Sequence, residues 1–152
     1  MRKGRPVKPR PILRLIWAAH RLQFRMSGGR LGTRRAGAGL GTLFIETTSR
    51  RTGEPKRNPL FYLEDGAGLV VAASNAGADR DPAWWRNLQA DPRASVLIEG
   101  RRRDVRARSA TADEARRLWP RFDTALADYA AYRARASRSI AIVMLEPRSP
   151  ET

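Results

Sequence analysis

Hydrophobic and polar positions change period near residue 42. Before it, "PILRLIWAAHRLQFRM" (11–26) repeats as a helix. At 100° per residue Arg14, Arg21 and Arg25 share one narrow face, and Ile12, Ile16, Trp17, Ala19 and Leu22 fill the rest. The preceding "MRKGRPVKPR" is basic and proline-containing and reads as an arm. The following "SGGRLGTRRAGAGLG" (27–41) is too glycine-rich for a regular element and reads as a connector. The expected division is therefore an arm, helix and connector over 1–41 and one folded domain over 42–152.

After residue 42 the period is that of strands. "LFIETTS" (43–49), "KRNPLFYLE" (56–64) and "LVVAAS" (69–74) are separated by the turns "RRTGEP" and "DGAG". Pro59 inside the second run demands an edge or a bulge, where no ladder N–H is needed. Asp81 as N-cap and Pro82 as first helical residue open a helix reaching about Ala90. "ASVLIE" (94–99), a tight Gly100-Arg101 turn and "RRDVRARS" (102–109) form a hairpin. It faces Val105 and Ala107 inward and Arg102, Asp104, Arg106 and Arg108 outward. Thr111 and Glu114 make a capping box for a helix that Pro120 interrupts and that resumes toward Arg135. "IAIVMLE" (140–146) is the closing strand. Hairpins dominate and no βαβ unit occurs, so the pattern predicts an α+β fold: a mainly antiparallel, barrel-like sheet of about six strands with flanking helices.

Composition narrows the chemistry. With no cysteine and one histidine (His20), the chain has no disulfide, thiolate metal site or cysteine nucleophile, and little material for a metal cluster or a Ser/His relay. A cysteine-free chain suits a reducing cytoplasm. No apolar run approaches the roughly 20 residues of a membrane span. Net charge is +15, which points to a polyanionic partner, yet 27 of the 30 basic residues are arginine and alanine is abundant. Part of the excess therefore reflects coding bias, and the placement of charges has to decide. The 11–26 helix fits both a contact with an anionic membrane surface and packing on the domain.

Two stretches concentrate chemistry. In "TTSRRTGEPKRNPL" (47–60) a hairpin folds Arg50 and Arg51 back beside Lys56 and Arg57, against one acid, Glu54. Four cations within about one strand spacing repel unless an anion joins them, and arginine forks grip phosphate or carboxylate. In "SNAGADRDPAWWRNL" (74–88) Ser74 through Ala78 are mostly small, with accessible backbone, ahead of a helix N-terminus. Either one of Trp84 and Trp85 enters the core while the other covers a cleft, or both pack in the core at different angles. Asp81 is explained by capping and Asp79 by solvation, which leaves no paired acid/base carboxylates. Tyr129 and Tyr132, three apart, share a helix face that borders a cleft or packs on the barrel.

"TTSRRTGEPKRNPLFYLEDG", "VVAASNAGADRDPAWWRNLQADP", "WPRF…DYAAY" and "IAIVMLEP", in this order over about 42–147, resemble the deazaflavin-dependent nitroreductase family. The resemblance implies a split β-barrel of the FMN-binding type. It also implies reduced coenzyme F420, a deazaflavin with a phosphate and an oligoglutamate tail, as hydride donor. By similarity the family's phosphate turn falls on Ser49-Arg50-Arg51-Thr52-Gly53, followed by Lys56, Arg57, Asn58, Pro59 and Leu60. Its strand end falls on Ala72-Ala73-Ser74 with Asn75, and its tryptophan segment on Pro82 through Asn87, with Ala83, Trp84, Trp85, Arg86 and Asn87 toward the coenzyme. Phe61, Tyr129 and Tyr132 would border the acceptor, and Ser74, Tyr132 or water would supply the proton. The chain departs from the family at Ser49 (often glycine), Trp85 and Phe61 (often tyrosine), and Leu126, where related members carry a third tyrosine. The acceptor side is correspondingly more apolar.

The resulting expectation is an oxidoreductase passing hydride from reduced F420 to a small quinone, nitro or enone acceptor, with no metal. An FMN-binding split barrel is the related alternative. A basic barrel for single-stranded nucleic acid is the alternative from another class; Trp84, Trp85, Tyr129 and Tyr132 fall on helices, whereas that reading needs aromatics on a strand face. Oligomeric state is open.

Overall fold

Turn chemistry and two-residue alternation produce six strands that close on themselves. The computed structural model describes residues 33–37 and 39–149. In chain order the elements are β1 (Gly41–Thr48), β2 (Pro55–Asp65), β3 (Gly68–Ala72), α1 (Ala83–Ala90), β4 (Arg93–Ile98), β5 (Arg101–Ser109), α2 (Ala112–Ala125), α3 (Asp128–Arg135) and β6 (Ile142–Pro147). A single 3-10 turn, Asn75–Gly77, joins β3 to α1. All strand pairings are antiparallel and the barrel order is β1-β2-β3-β6-β5-β4. The expected basic arm and 11–26 helix lie outside the described residues. Among the described residues no helix is long and apolar enough to cross a membrane.

The barrel interior is filled by Leu43, Ile45, Tyr62, Leu69, Val71, Val96, Val105, Val143 and Leu145, with Trp84, Trp85 and Leu88 entering from α1. A second apolar layer lies outside β3 and β6, where Val70, Ala72, Ile142 and Met144 meet Leu118 and Phe122 of α2 and Tyr129 of α3. β3 and β6 are thus covered on both faces, which explains their unbroken apolar runs.

Pro59 is accommodated as expected. β2 pairs with β1 from Pro55 to Tyr62 but with β3 only from Leu63 to Asp65, so its first half has an open side that needs no ladder N–H. The Thr111–Glu114 capping box is present. Other local expectations are corrected. The β4–β5 turn is Glu99-Gly100, both at positive φ (49° and 80°), between the paired Ile98 and Arg101. Pro120 does not interrupt its helix. It sits on an exposed turn where water can take the carbonyl it leaves unbonded, and the break falls at Leu126-Ala127. Asp81 caps nothing, because its carboxylate is held by Arg138 at 2.9 Å, and Pro82 occupies the N-cap position. Asp79 is not merely solvated; it accepts from the Ser137 amide and hydroxyl (3.2 and 2.8 Å). The end of the connector is tied down as well. Arg34 bridges to Thr42, Ala36 N–H donates to Tyr62 Oη at 3.0 Å, and Thr33 Oγ1 accepts from Glu99 N–H at 2.6 Å.

Arginines grip carboxylates over the surface, and the carboxylates titrate accordingly. Hydrogen bonds from Arg57, Arg117, Arg93 and Arg133 hold Glu46, Asp65, Asp91 and Asp123 below their ordinary range. Arg108 lowers Glu114 to about 2. Folding keeps these groups ionised where the unfolded chain would take up protons, near 3.8 for Asp and 4.5 for Glu. Their contribution is therefore complete above about pH 5 and disappears as the pH falls toward 2. Thermal melts should show Tm falling between pH 5 and 3, and Glu114→Gln should flatten that slope; an acid slope unchanged in the variant would remove the network as its source.

Candidate functional site

A groove of about 640 Å³ opens between the half of β2 that pairs only with β1, the β3–α1 loop, the start of α1, and Leu126 with α3. One wall is Thr42 with Asn58, Pro59, Leu60 and Phe61. The floor is Ala72 and Ser74 with Asn75 and Ala76. Pro82, Ala83 and Trp84 at the start of α1 form the next wall, and Leu126, Tyr129 and Tyr132 close it. Among the described residues Phe61 is the large apolar side chain left exposed (44%), and it borders this space. Tyr129 and Tyr132 meet edge to face at 6.0 Å, and Tyr129 meets Phe122 likewise at 5.1 Å. α3 is fixed to α2 by Arg133, which grips Asp123 with two bonds of 2.7 Å and lies 4.1 Å over the Trp119 ring. Burial, then the charge of Asp128, raises the Tyr132 hydroxyl above its usual 10, and burial raises that of Tyr129 further. Both keep their protons at neutral pH.

A cationic cluster lies one helical turn along α1. Arg86 and Asn87 follow the groove-lining Ala83 and Trp84 by about 5 Å of helix rise. Asn87 is buried, and its amide joins two elements. Nδ2 donates to Thr47 Oγ1 at 3.1 Å, while Oδ1 accepts from both the N–H and Nη1 of Arg50 at 3.2 Å. The turn itself winds on Ser49, whose Oγ accepts from Arg51 N–H and Thr52 N–H at 3.3 Å. Desolvation, then the charges of Arg86 and Arg51, holds the Arg50 guanidinium below its usual value. Among the described residues none of the three has a carboxylate within ion-pair distance. Such a cluster is built for an anion.

The predicted residues divide between these two places. Asn58, Pro59, Leu60, Phe61, Ala72, Ser74, Asn75, Ala83, Trp84, Tyr129 and Tyr132 line the groove, and Arg50, Arg51 and Thr52 of the β1–β2 turn lie with Arg86 and Asn87 of α1 beside it. Four residues go elsewhere. Trp85 packs only in the barrel core, whereas its neighbour Trp84 packs in the core and also lines the groove. Arg57 stands across from Glu46, which binds it at 2.7 Å and also takes Arg102, so the cation count of the hairpin drops by one. Lys56 lies 3.6 Å from Glu54. Ala73 is buried behind the groove floor. Sequence reasoning missed Thr42, which carries no chemical signal of its own, while Ala76 and Pro82 lie within the two stretches it singled out. It also missed Arg138, whose partners lie about sixty residues away. No cluster of three or more His, Asp or Glu side chains able to hold a metal occurs among the described residues.

A family model described as F420H(2)-dependent quinone reductase matches residues 17–147. The chain belongs to that family. It is an oxidoreductase, and its cofactor is coenzyme F420. Rv3178 of Mycobacterium tuberculosis is 39% identical over 107 residues, 70% of this chain and 90% of that protein. Rv1261c of the same species, an F420H(2)-dependent quinone reductase, is 33% identical over 132 residues, 85% and 88% of the two chains. Among solved structures, an F420-H2 dependent reductase is 26% identical with a TM-score of 0.63, covering 69% of this chain and 93% of its own. A domain-swapped dimer, 23% identical over 88% of this chain and 99% of its own, shares the fold with a TM-score of 0.66. The fold is therefore the split barrel expected from the resemblance. The chain's residues fit the coenzyme: an apolar-walled groove of sufficient volume for a flat ring, with arginines that have no carboxylate partner among the described residues one helical turn away along α1.

Proposed function

We propose that the chain transfers hydride from reduced F420 to a quinone bound in the 640 Å³ groove, with the coenzyme's phosphate and glutamates on Arg50, Arg51 and Arg86. The observation that carries this reading is that α1 lines the groove with Ala83 and Trp84 and, one turn on, carries Arg86 and the Asn87 that binds Arg50, so arginines without carboxylate partners among the described residues stand next to an aromatic-walled groove. The reduced deazaflavin supplies the hydride when bound, so the protein needs neither a nucleophile nor a metal. The chain's own residues then have three tasks. Trp84, Phe61, Leu126 and Tyr129 exclude water and offer flat apolar surface to rings. Asn87 aims Arg50 by holding both its backbone and its guanidinium. Tyr132 and Ser74, both on the groove, hold hydroxyl protons at its wall, and the raised pKa of Tyr132 makes it a hydrogen-bond donor to an acceptor oxygen throughout the neutral range.

Tryptophan fluorescence gives a direct test. Quenching by F420 should saturate, with weaker quenching by FMN and by a single-stranded oligonucleotide. Loss of reduced F420 should follow addition of a soluble quinone, with nitro and enone compounds as parallel acceptors. Arg50→Ala and Arg51→Ala should each weaken F420 binding about tenfold, as for a lost charge-assisted hydrogen bond. Arg106→Ala, on the outward face of β5, should change it less than about twofold. Equal losses at all three positions would mean that general positive charge, not the turn, holds the coenzyme.

A further inference from the structure

The β3–α1 loop passes through three consecutive residues at positive φ: Asn75 (43°), Ala76 (51°) and Gly77 (76°). A side chain at such φ crowds the backbone, so a run of this kind persists only where its surroundings over-determine it. The turn's own hydrogen bonds are few: Gly77 N–H to Ser74 O at 2.8 Å, Ala78 N–H to Asn75 O at 3.0 Å, and Asn75 Nδ2 to Arg80 O at 3.0 Å. The remaining restraint comes from the segment after α3. Arg138, with only 16% of its side chain exposed, sends Nη2 to Ala73 O and Ser74 O at 3.2 Å, Nε to Ala78 O at 3.0 Å and Nη1 to Asp81 at 2.9 Å. One guanidinium therefore holds the chain both before and after the strained turn. Asp79 adds its two bonds to Ser137, and Arg135 reaches Ala76 O at 3.5 Å. A planar fork with five donors can span these four acceptors; a lysine ammonium keeps the Asp81 pair and loses the spread.

We infer that Arg138 is a positioning residue for the acceptor side of the groove, acting through the carbonyls of Ala73, Ser74 and Ala78. It locks the Ser74 wall to the segment that follows the tyrosine helix, so that the two walls move as one body. Arg138 is itself outside the groove lining. The inference rests on the groove being the acceptor site proposed above. The coenzyme's anions sit at the other end, on Arg50, Arg51 and Arg86, so loosening the clasp separates the two affinities.

The test uses the full chain carrying Arg138→Gln or Arg138→Lys, with two readouts. In R138Q, amide exchange at Gly77 and Ala78 should rise at least about tenfold while β1 and β4 amides keep their protection. The KM for a soluble quinone should rise about tenfold, with F420 Kd and binding stoichiometry unchanged within about threefold. R138K should restore part of both. Wild-type loop exchange in R138Q, an unchanged KM, or a loss of F420 affinity in step with the KM would overturn the inference. Where R138Q fails to fold, R138K decides by the same two measurements. The exchange result needs no turnover, so it judges the clasp even if the wild-type chain reduces no quinone, an outcome that would remove the proposed function instead.

Discussion

Gly77→Ala is expected to lower Tm by about 10 °C, whereas the same change at Gly53 should lower it by roughly half as much or less. The two glycines have nearly the same φ, 76° and 75°. Alanine at either position carries the left-handed penalty of about 1–2 kcal/mol. They differ in what a Cβ would meet. At Gly53 nothing lies within 4 Å. At Gly77 the new atom falls 3.0 Å from Tyr132 O, 3.1 Å from Tyr132 Cα and 3.4 Å from Arg135 Cβ. Backbone cannot swing aside as a side-chain end can, so α3 or the loop has to shift. The added overpacking is worth about 1–3 kcal/mol. That shift also separates Ser74 from Tyr132, so quinone turnover in G77A should fall further than stability alone explains. Equal Tm losses at the two positions would mean that the contact between loop and α3 contributes nothing.

Element types were largely legible because they follow from local rules. Each hairpin announces itself by a glycine-bearing turn between apolar runs, and the Thr111–Glu114 box marks the start of α2. The misreadings at Asp81 and Pro120 are local signals overridden by where the residue sits in the fold. Asp81 has the spacing of a cap, yet Arg138 takes its carboxylate from 57 residues away. Pro120 has the look of a breaker, but it lies on the exposed side of α2, where losing one backbone bond is tolerable. The chain turns instead at Leu126-Ala127, where Phe122 and Tyr129 pack edge to face across the corner. Nothing in the letters around residue 126 records that contact.

The candidate site was legible in its chemistry and less so in its partition. The hairpin reading placed four cations together, but register sets Arg57 opposite Glu46, an acid on the neighbouring strand that a count within the turn does not include. The resemblance put both tryptophans at the coenzyme, and adjacent helix positions cannot point the same way; both pack in the core, and Trp84 alone also reaches the groove. Arg138 was invisible because its function is tertiary. Its acceptors are backbone carbonyls, which every residue carries.

Asn87 offers the sharpest separation of stability from coenzyme binding. Asn87→Leu keeps the volume and removes three hydrogen bonds, leaving the Thr47 hydroxyl, on a residue only 2% exposed, and the Arg50 amide without this partner. Each buried group left unsatisfied costs about 1–3 kcal/mol, so N87L should lose about 3–5 kcal/mol and bind F420 poorly because the turn has lost its anchor. Asn87→Asp behaves differently. A carboxylate there still accepts from Arg50, and the Thr47 hydroxyl can rotate to donate to it, so most of the stability should return. Yet the new charge neutralises Arg50, whose guanidinium is otherwise pressed by Arg86 and Arg51 and relieved by a bound anion. N87D should therefore melt close to wild type in buffer and bind F420 about tenfold more weakly. It should also lose most of the Tm increase that added F420 gives the wild type, since ligand stabilisation follows RT ln(1 + [L]/Kd). An N87D protein with wild-type affinity would place the coenzyme's anions elsewhere than on Arg50. A variant as unstable as N87L would instead show that the buried site rejects charge even when the charge is paired.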